Sequence, residues 1–299
     1  MRRSSAVKYF PVIFAAFLWS FLGPTYTVLF KFYHLPLISI IIMRSAVAGA
    51  ILAVAGSCCY RDWFSVKRHH IPFFLFYGVI CTGTFFIVYL KAVQEIGIAL
   101  GAVLLYTAPA WVALISWKFL SESLNTRLVL AVVLSFVGAA LVSGVYKAGH
   151  VPLNWFGIAM GLGSGFLYAL WSISNRIGVK FYGYSSWSLQ MYGFLIGAVF
   201  LGLVQSPGTW FDKTLMLHAM PVLLFLGAGP GLFAAVAYGI GVKLVPVSRA
   251  SVIATLEPVL ATVWAVLFFH ERLDLLQTIG GVLIIISVII ITSSGQEDS

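Results

Sequence analysis

Charge is scarce in this chain. Only 9% of its 299 residues are Asp, Glu, Lys or Arg, against about 25% in a soluble domain. That shortage excludes a water-facing surface of ordinary size. Cysteine is scarce as well. Cys58, Cys59 and Cys81 form no C-x-x-C pair, so neither a disulfide framework nor a metal site follows from them. They read as packing residues. The chain has no Walker A loop, no H-E-x-x-H and no G-x-S-x-G. ATP-driven pumping within the chain is therefore not expected, and no nucleophile–base constellation points to an enzyme. No cofactor and no metal is implied. The apolar–polar alternation of a membrane β-barrel is missing too.

What the chain does have is apolar length. It is 61% hydrophobic, with a mean hydropathy of +1.01. The apolar residues fall into blocks of about 20, enough to cross the hydrocarbon core at ~1.5 Å per helical residue. Ten such blocks centre near Trp19, Ala46, Thr82, Ala108, Phe136, Gly165, Leu195, Leu232, Glu257 and Ile285. Lipid offers backbone polar groups no water partner, so each block is expected to be a helix. The fold class is an all-α polytopic membrane protein with ten transmembrane helices.

The net charge of +9 is spread singly between the blocks, which argues against a nucleic-acid surface. It reports orientation instead. With the N-terminus inside, twelve basic residues (Arg2, Arg3, Lys8, Arg61, Lys67, Arg68, Lys118, Arg127, Arg176, Lys180, Lys243 and Arg249) fall in cytoplasmic segments. Five fall outside: Lys31, Lys91, Lys147, Lys213 and Arg272. Both termini are expected in the cytoplasm. Arg2 and Arg3 flank a retained first helix, since no small-residue cleavage site follows them.

Sliding the chain over itself by 149 residues aligns its rarer residues without a gap. Lys31-Phe32-Tyr33 meets Lys180-Phe181-Tyr182, Tyr89 meets Tyr238, Pro109 meets Pro258, and Glu122 meets Glu271. Each copy holds five helices. An odd number makes the second copy enter the membrane from the opposite side, the arrangement of inverted-topology repeats that exchange conformations in alternating access. The expected units are residues 1–148 and 154–294, with a cytoplasmic tail at 295–299.

Two stretches then carry a resemblance. "TAPAWVALISWKFLSESL" (Thr107 to Leu124) and "LEPVLATVWAVLFFHERLDLLQTIGGVLIII" (Leu256 to Ile286) resemble the ends of two EamA domains of the drug/metabolite transporter superfamily. The resemblance implies a ten-helix inverted-repeat transporter without a catalytic domain. Ser121-Glu122-Ser123 departs from the more usual Gly-Glu-Arg, whereas His270-Glu271-Arg272 keeps the Glu-Arg pair.

Within that frame a few residues stand out. Glu257 lies midway along its apolar block, where a carboxylate costs ~2.5–3.5 kcal/mol on insertion scales. It is either a hydrogen-bonded neutral acid or a substrate or proton site. Pro109 and Pro258 remove backbone donors at matching positions, and Pro230 in "GAGPG" is a third candidate break. Arg44 is the only clear deep cation; it can snorkel, pair with helix-end carbonyls, or pair with Glu257. Trp19, Tyr89, Tyr106, Tyr168, Trp171 and Tyr238 are deep aromatics, suited either to packing or to holding an organic cation by cation–π attraction. Gly157, Gly161 and Gly165 make a close-packing face. Glu122, Glu271, Asn125 and Asp274 read as caps of the helices that follow them. His69-His70 reads as a solvated loop.

The expectation is a secondary transporter of a small polar metabolite, an amino acid or organic amine, in a prokaryotic inner (plasma) membrane. Its partners are that substrate, lipid and a coupling proton. A receptor or scaffold on the same fold, or a channel, are the rivals.

Overall fold

A computed structural model describes residues 5–147, 154–204, 213–270 and 272–293. Arg2, Arg3, Glu271 and the 295–299 tail lie outside the described residues. Among those described there is no strand, and nine helices are long and apolar enough to cross a membrane.

The chain starts with α1 (Ser5–Trp19), α2 (Leu22–Lys31) and α3 (Leu37–Cys59). A short α4 (Ile71–Leu75) leads through a wide π-helical turn at Phe76–Thr84 into α5 (Phe85–Leu105), followed by α6 (Ala108–Leu120) and α7 (Thr126–Val142). The second half runs α8 (Trp155–Arg176), α9 (Ser186–Val204) and α10 (Lys213–Leu226). Another wide turn at Gly227–Phe233 leads into α11 (Ala234–Leu244), α12 (Val247–Ala254), α13 (Leu256–Phe269) and α14 (Leu275–Ser293).

Local chemistry explains the ends. The side chain of Asn125 accepts from the Leu128 N–H at 2.9 Å to start α7. Asp274 accepts from the Gln277 N–H at 2.8 Å to start α14. Each satisfies an orphan donor of its helix. Asp274 is further held by Lys147 at 2.8 Å and by the Tyr146 hydroxyl at 2.6 Å. The Lys147 contact, followed by that of Tyr146, pulls its carboxyl well below the usual carboxylate range. A depressed pKa adds stability above the ordinary Asp value of about 3.9 that fades as pH falls below it. Thermal unfolding in detergent should therefore show Asp274→Asn less stable than wild type at pH 7, with the gap beginning to narrow by pH 3. Asn125→Ala should cost about 1 kcal/mol at either pH.

Several backbone features recur at the sequence offset. Left-handed φ occurs at His34 and Gly183, and again at Ser121 and His270. The last pair ends α6 and α13 in matching conformations, φ 56 and φ 53. The two wide turns hand over to α5 and α11 at equivalent residues, Phe85 and Ala234.

Pro109, Pro258 and Pro230 sit at breaks, whereas Pro11 and Pro221 lie inside α1 and α10. Pro109 is in the first turn of α6, and Pro258 is the third residue of α13. A first-turn proline removes an N–H that has no helical acceptor, so it starts a helix at little cost. The chain is thus divided at Tyr106–Thr107 and at Thr255, just ahead of each proline. Pro230 lies inside the second wide turn. The first wide turn has no proline and is braced by Thr82 and Thr84 hydroxyls on the carbonyls five residues back, at 3.1 and 3.0 Å. A further break falls inside α5: Gly97 has φ 80 and ψ 164, a conformation only glycine adopts freely.

Helices pack in pairs, α5 with α8, α7 with α14, α1 with α11 and α3 with α9. Gly157 and Gly161 let α8 approach the α5 residues Glu95, Ile96 and Leu104, and Gly165 sits against the carbonyls that end α5. The cysteines divide. Cys81 is buried, whereas Cys58 and Cys59 are exposed at the end of α3, because both project from the last turn beyond the packed face. His70 stacks on Tyr182 at 4.0 Å, and its Nδ1 is 2.8 Å from the Tyr184 hydroxyl. That docking ties the loop down more than a solvated loop requires.

Candidate functional site

The ends of α1, α5, α8 and α11 bring most of the deep aromatics together. Trp19 lies 5.9 Å from Trp171, 6.5 Å from Tyr168 and 5.4 Å from Tyr238. Tyr168 is 5.6 Å from Trp171, and Phe85 links it to Tyr89 through ring separations of 6.1 and 6.2 Å. Tyr106, at the α5–α6 break, packs against the same cluster of Ala139, Val142 and Ile284 as Leu256 and Val259 of α13 do. It lies within the electrostatic reach of Glu257, Tyr89 and Tyr168. Phe85 had no signal in the sequence beyond its neighbours.

The rings are not equivalent. Tyr238 is fully buried and its hydroxyl hydrogen-bonds to that of Ser172; Trp19 is 8% exposed. These two back the cluster. Tyr89, Tyr106, Tyr168 and Trp171 are only half-buried.

Glu257 is in the first turn of α13, where helix N–H groups favour a negative charge. Every residue from Leu256 to Thr262 is half-buried. Seven residues span nearly two turns, so no side of this part of the helix is sealed. A helix with lipid on one side and tight packing on the other would alternate buried with exposed positions, as α7 does. No turn of this part of α13 is therefore fully packed. Among the described residues, Glu257 has no hydrogen-bonding or ion-pairing side-chain partner.

Arg44 is 7% exposed, which rules out snorkelling. Its Nη1 donates to the Tyr26 hydroxyl at 3.3 Å, and its guanidinium lies 4.8 Å over the Phe86 ring. Its Nε has no partner. Arg44 and Glu257 lie within each other's field without forming an ion pair among the described residues.

A second polar assembly corrects two sequence expectations. Glu122 does not cap the helix that follows it. It reaches across to α12, accepting from the N–H groups of Val247 and Ser248 at 2.8 and 3.0 Å and from the Ser248 hydroxyl at 2.6 Å. The left-handed turn at Ser121 sends its side chain away from α7, leaving that cap to Asn125. Nor is Arg44 the only buried cation among the described residues. Arg176, the last residue of α8, is 6% exposed. It donates to the carbonyls of Val242 and Val245 at the end of α11 and lies 3.8 Å from Glu122. This clasp borders a cavity of about 590 Å³ that also receives Lys8, Lys180 and Arg249.

Sequence reasoning also missed a buried polar ring. Tyr77 donates to Gln190 at 3.0 Å, Gln190 to Asn175 at 2.7 Å, and Asn175 back to Tyr77 at 3.0 Å. The only signal was a lone Gln and a lone Asn in apolar blocks. These groups satisfy one another, which suits helix anchoring.

Known proteins share this organisation. The chain is 29% identical over 206 residues to an uncharacterized transporter of Archaeoglobus fulgidus, covering 68% of this chain and 70% of that protein. It is 24% identical over 227 residues to the uncharacterized transporter YwfM of Bacillus subtilis, covering 75% and 74%. For YvbV of the same organism the identity is 26% over 230 residues, covering 74% and 69%. One solved crystal structure has the same fold, with a TM-score of 0.80, 19% identity and 96% of both chains covered. The signature of the EamA-like transporter family matches twice, at residues 7–144 and 155–293. With nine apolar helices among the described residues, the chain is an integral protein of the plasma membrane, and it belongs to the EamA-like transporter family.

Proposed function

We propose that this transporter moves a small polar metabolite, an amino acid or organic amine, by alternating access between two inverted five-helix repeats, residues 1–148 and 154–294. The observation that carries the reading is Glu257: a carboxylate with no side-chain partner among the described residues, in the first turn of an unsealed helix that follows a break in the chain. Such a group suits an ammonium ion or a coupling proton, and the rings add cation–π attraction of ~0.5–2 kcal/mol each.

Ten crossings follow from reading the Gly97 turn as a hairpin. The 38-residue helix Arg68–Leu105 is far longer than the ~20 residues a crossing needs. Dividing it at Gly97 leaves one crossing before the turn. The fourth is then made by the rest of α5 with α6, matching α12 with α13. The excess of basic residues at the Lys8 end favours a cytoplasmic position for that end, and with it for both termini and the 295–299 tail. Tyr89, Tyr106, Tyr168 and Trp171 would touch substrate, with Trp19 and Tyr238 behind them. Pro109, Pro258 and Pro230 would mark the elements that move.

The test is counterflow in proteoliposomes, preceded by a metabolite binding screen. Glu257→Gln should weaken apparent substrate affinity by at least about tenfold, as expected for losing a hydrogen bond to a charged group. It should also flatten the pH dependence of flux. Unchanged affinity and pH dependence would remove Glu257 from the site. Binding without flux in the wild type would mean a receptor.

A further inference from the structure

We propose that the cavity beside the Glu122–Arg176 clasp is a second site, which binds a phosphate group carried by a lipid headgroup or by a soluble anion. The proposal is independent of Glu257 and of what binds there.

The starting point is an excess of charge. Lys8, Arg176, Lys180 and Arg249 line one cavity of about 590 Å³, and among the described residues lining it Glu122 is the only carboxylate. These cations come from separate parts of the chain. Lys8 is on α1, Arg176 ends α8, Lys180 lies in the turn after it (Ile177–Phe181), and Arg249 is on α12. Like charges gathered in one recess repel each other, and more strongly than across open water.

Glu122 does not neutralise the recess. Its oxygens already accept from the Val247 and Ser248 N–H groups and from the Ser248 hydroxyl. Its nearest cation is Arg176, at 3.8 Å, which also holds the Val242 and Val245 carbonyls. One carboxylate set against four cations leaves three positive charges.

Exposure orders the cations by depth. Arg176 is buried, Arg249 is half-buried, and Lys8 and Lys180 are exposed. The arginines therefore form the floor and wall, with the lysines at the mouth. Arg249 is steadied by Tyr9, whose hydroxyl accepts from Nη1 at 3.3 Å. The side chains of Lys8 and Lys180 make no hydrogen bond or ion pair among the described residues. Both ammonium groups can close over an anion.

Size and charge together select the ligand. The volume of about 590 Å³ falls in the range of small-molecule sites, roughly 300–1,000 Å³. It is far more than a lone carboxylate fills. A phosphate group offers several acceptor oxygens and, as a monoester, up to about two negative charges. It can thus meet an arginine and two lysines at once, and lysine serves phosphate as a point charge. Basic pockets between membrane helices hold phosphate-bearing lipid headgroups by the same chemistry. A phosphate held here would tie α1 to α12 and to the turn after α8.

The experiment is thermal unfolding of the full chain in neutral detergent after exhaustive washing, with ionic strength held constant by sodium chloride. Short-chain phosphatidylglycerol and inorganic phosphate are added separately, with zwitterionic short-chain phosphatidylcholine for comparison. At least one of the two anions should raise the midpoint, by at least about 5 °C at about a hundred times its dissociation constant. Lys8→Gln/Lys180→Gln should lose most of that rise. Both lysines are exposed, and a midpoint like wild type without added anion shows that the variant is folded. Arg61→Gln/Lys67→Gln removes equal charge from exposed residues outside the cavity and should keep the full rise. A rise with the lipid alone assigns the site to a headgroup, one with inorganic phosphate alone to a soluble ligand, and one with both to the shared group. The proposal is overturned if neither anion raises the midpoint, if phosphatidylcholine raises it equally, or if the two double variants respond alike. Should Lys8→Gln/Lys180→Gln fail to fold, Lys180→Gln alone decides: part of the rise should go, and an undiminished rise overturns the site.

Discussion

Replacing Glu122 by alanine is expected to destabilise the protein by about 3–5 kcal/mol, the range for breaking a buried charge pair by deleting one partner. The carboxylate holds two N–H groups and the hydroxyl at the start of α12, and both it and Arg176 are over nine-tenths buried. Without it, the Val247 and Ser248 donors lose their acceptor, at about 1–3 kcal/mol for each buried orphan. Arg176 keeps the Val242 and Val245 carbonyls, so much of the loss comes from the orphaned donors of α12 rather than from an abandoned charge. In detergent the midpoint of thermal unfolding should fall by roughly 5–10 °C. Glu122→Gln, which keeps one acceptor oxygen, should fall less.

Flux should suffer as well. α12 has eight residues and leads directly through Thr255 to Glu257, so freeing its first turn moves the site. A midpoint and flux within error of wild type would show that α12 is held by its apolar packing alone.

What the sequence made legible was mostly local. Block lengths gave the apolar helices, nine of them long enough to cross a membrane among the described residues, because backbone hydrogen bonding in lipid leaves few alternatives to helix. Asn125 and Asp274 were readable as caps because a cap acts on a donor three residues away. Pro109 and Pro258 marked breaks because proline acts on its own turn. The assembly of Trp19, Tyr89, Tyr168 and Trp171 followed from their depth and from the repeat.

The misses share a different cause. Glu122 finds its partners on α12, and Arg176 its acceptors at the end of α11, both through tertiary contacts more than sixty residues away. Arg176 sits at the end of an apolar block, where a loop residue and a buried one look alike. Gly97 is one of 28 glycines, and nothing in its neighbours announces a left-handed φ. Tyr89 and Tyr238 align in the repeat, yet one is half-buried and the other sealed. Repetition sets position along a helix, whereas exposure depends on what the other copy packs there.

Gly165 gives the second large effect, and here two familiar rules point in opposite directions. Gly→Ala inside a helix ordinarily stabilises by about 1 kcal/mol, through helix propensity. At Gly165 an added Cβ would lie 2.8 Å from the Leu104 carbonyl oxygen and 3.2 Å from that of Leu105, besides meeting the Thr107 hydroxyl. Two of those three are backbone atoms at the end of α5, which no rotamer change can move aside. Overpacking of this kind costs typically 1–3 kcal/mol, so even Gly165→Ala should destabilise. Gly165→Leu should force α8 from the α5–α6 break and lower flux at least about tenfold, the result of roughly 1.4 kcal/mol in the transport barrier.

Gly163 supplies the control on the same helix. A Cβ there meets only Val88 Cγ1 at 3.5 Å, ordinary contact, so Gly163→Ala should be neutral or stabilising with flux retained. Opposite signs at two glycines two residues apart cannot come from propensity. They require the close approach of α8 to the α5–α6 break, and equal effects at both would disprove that approach.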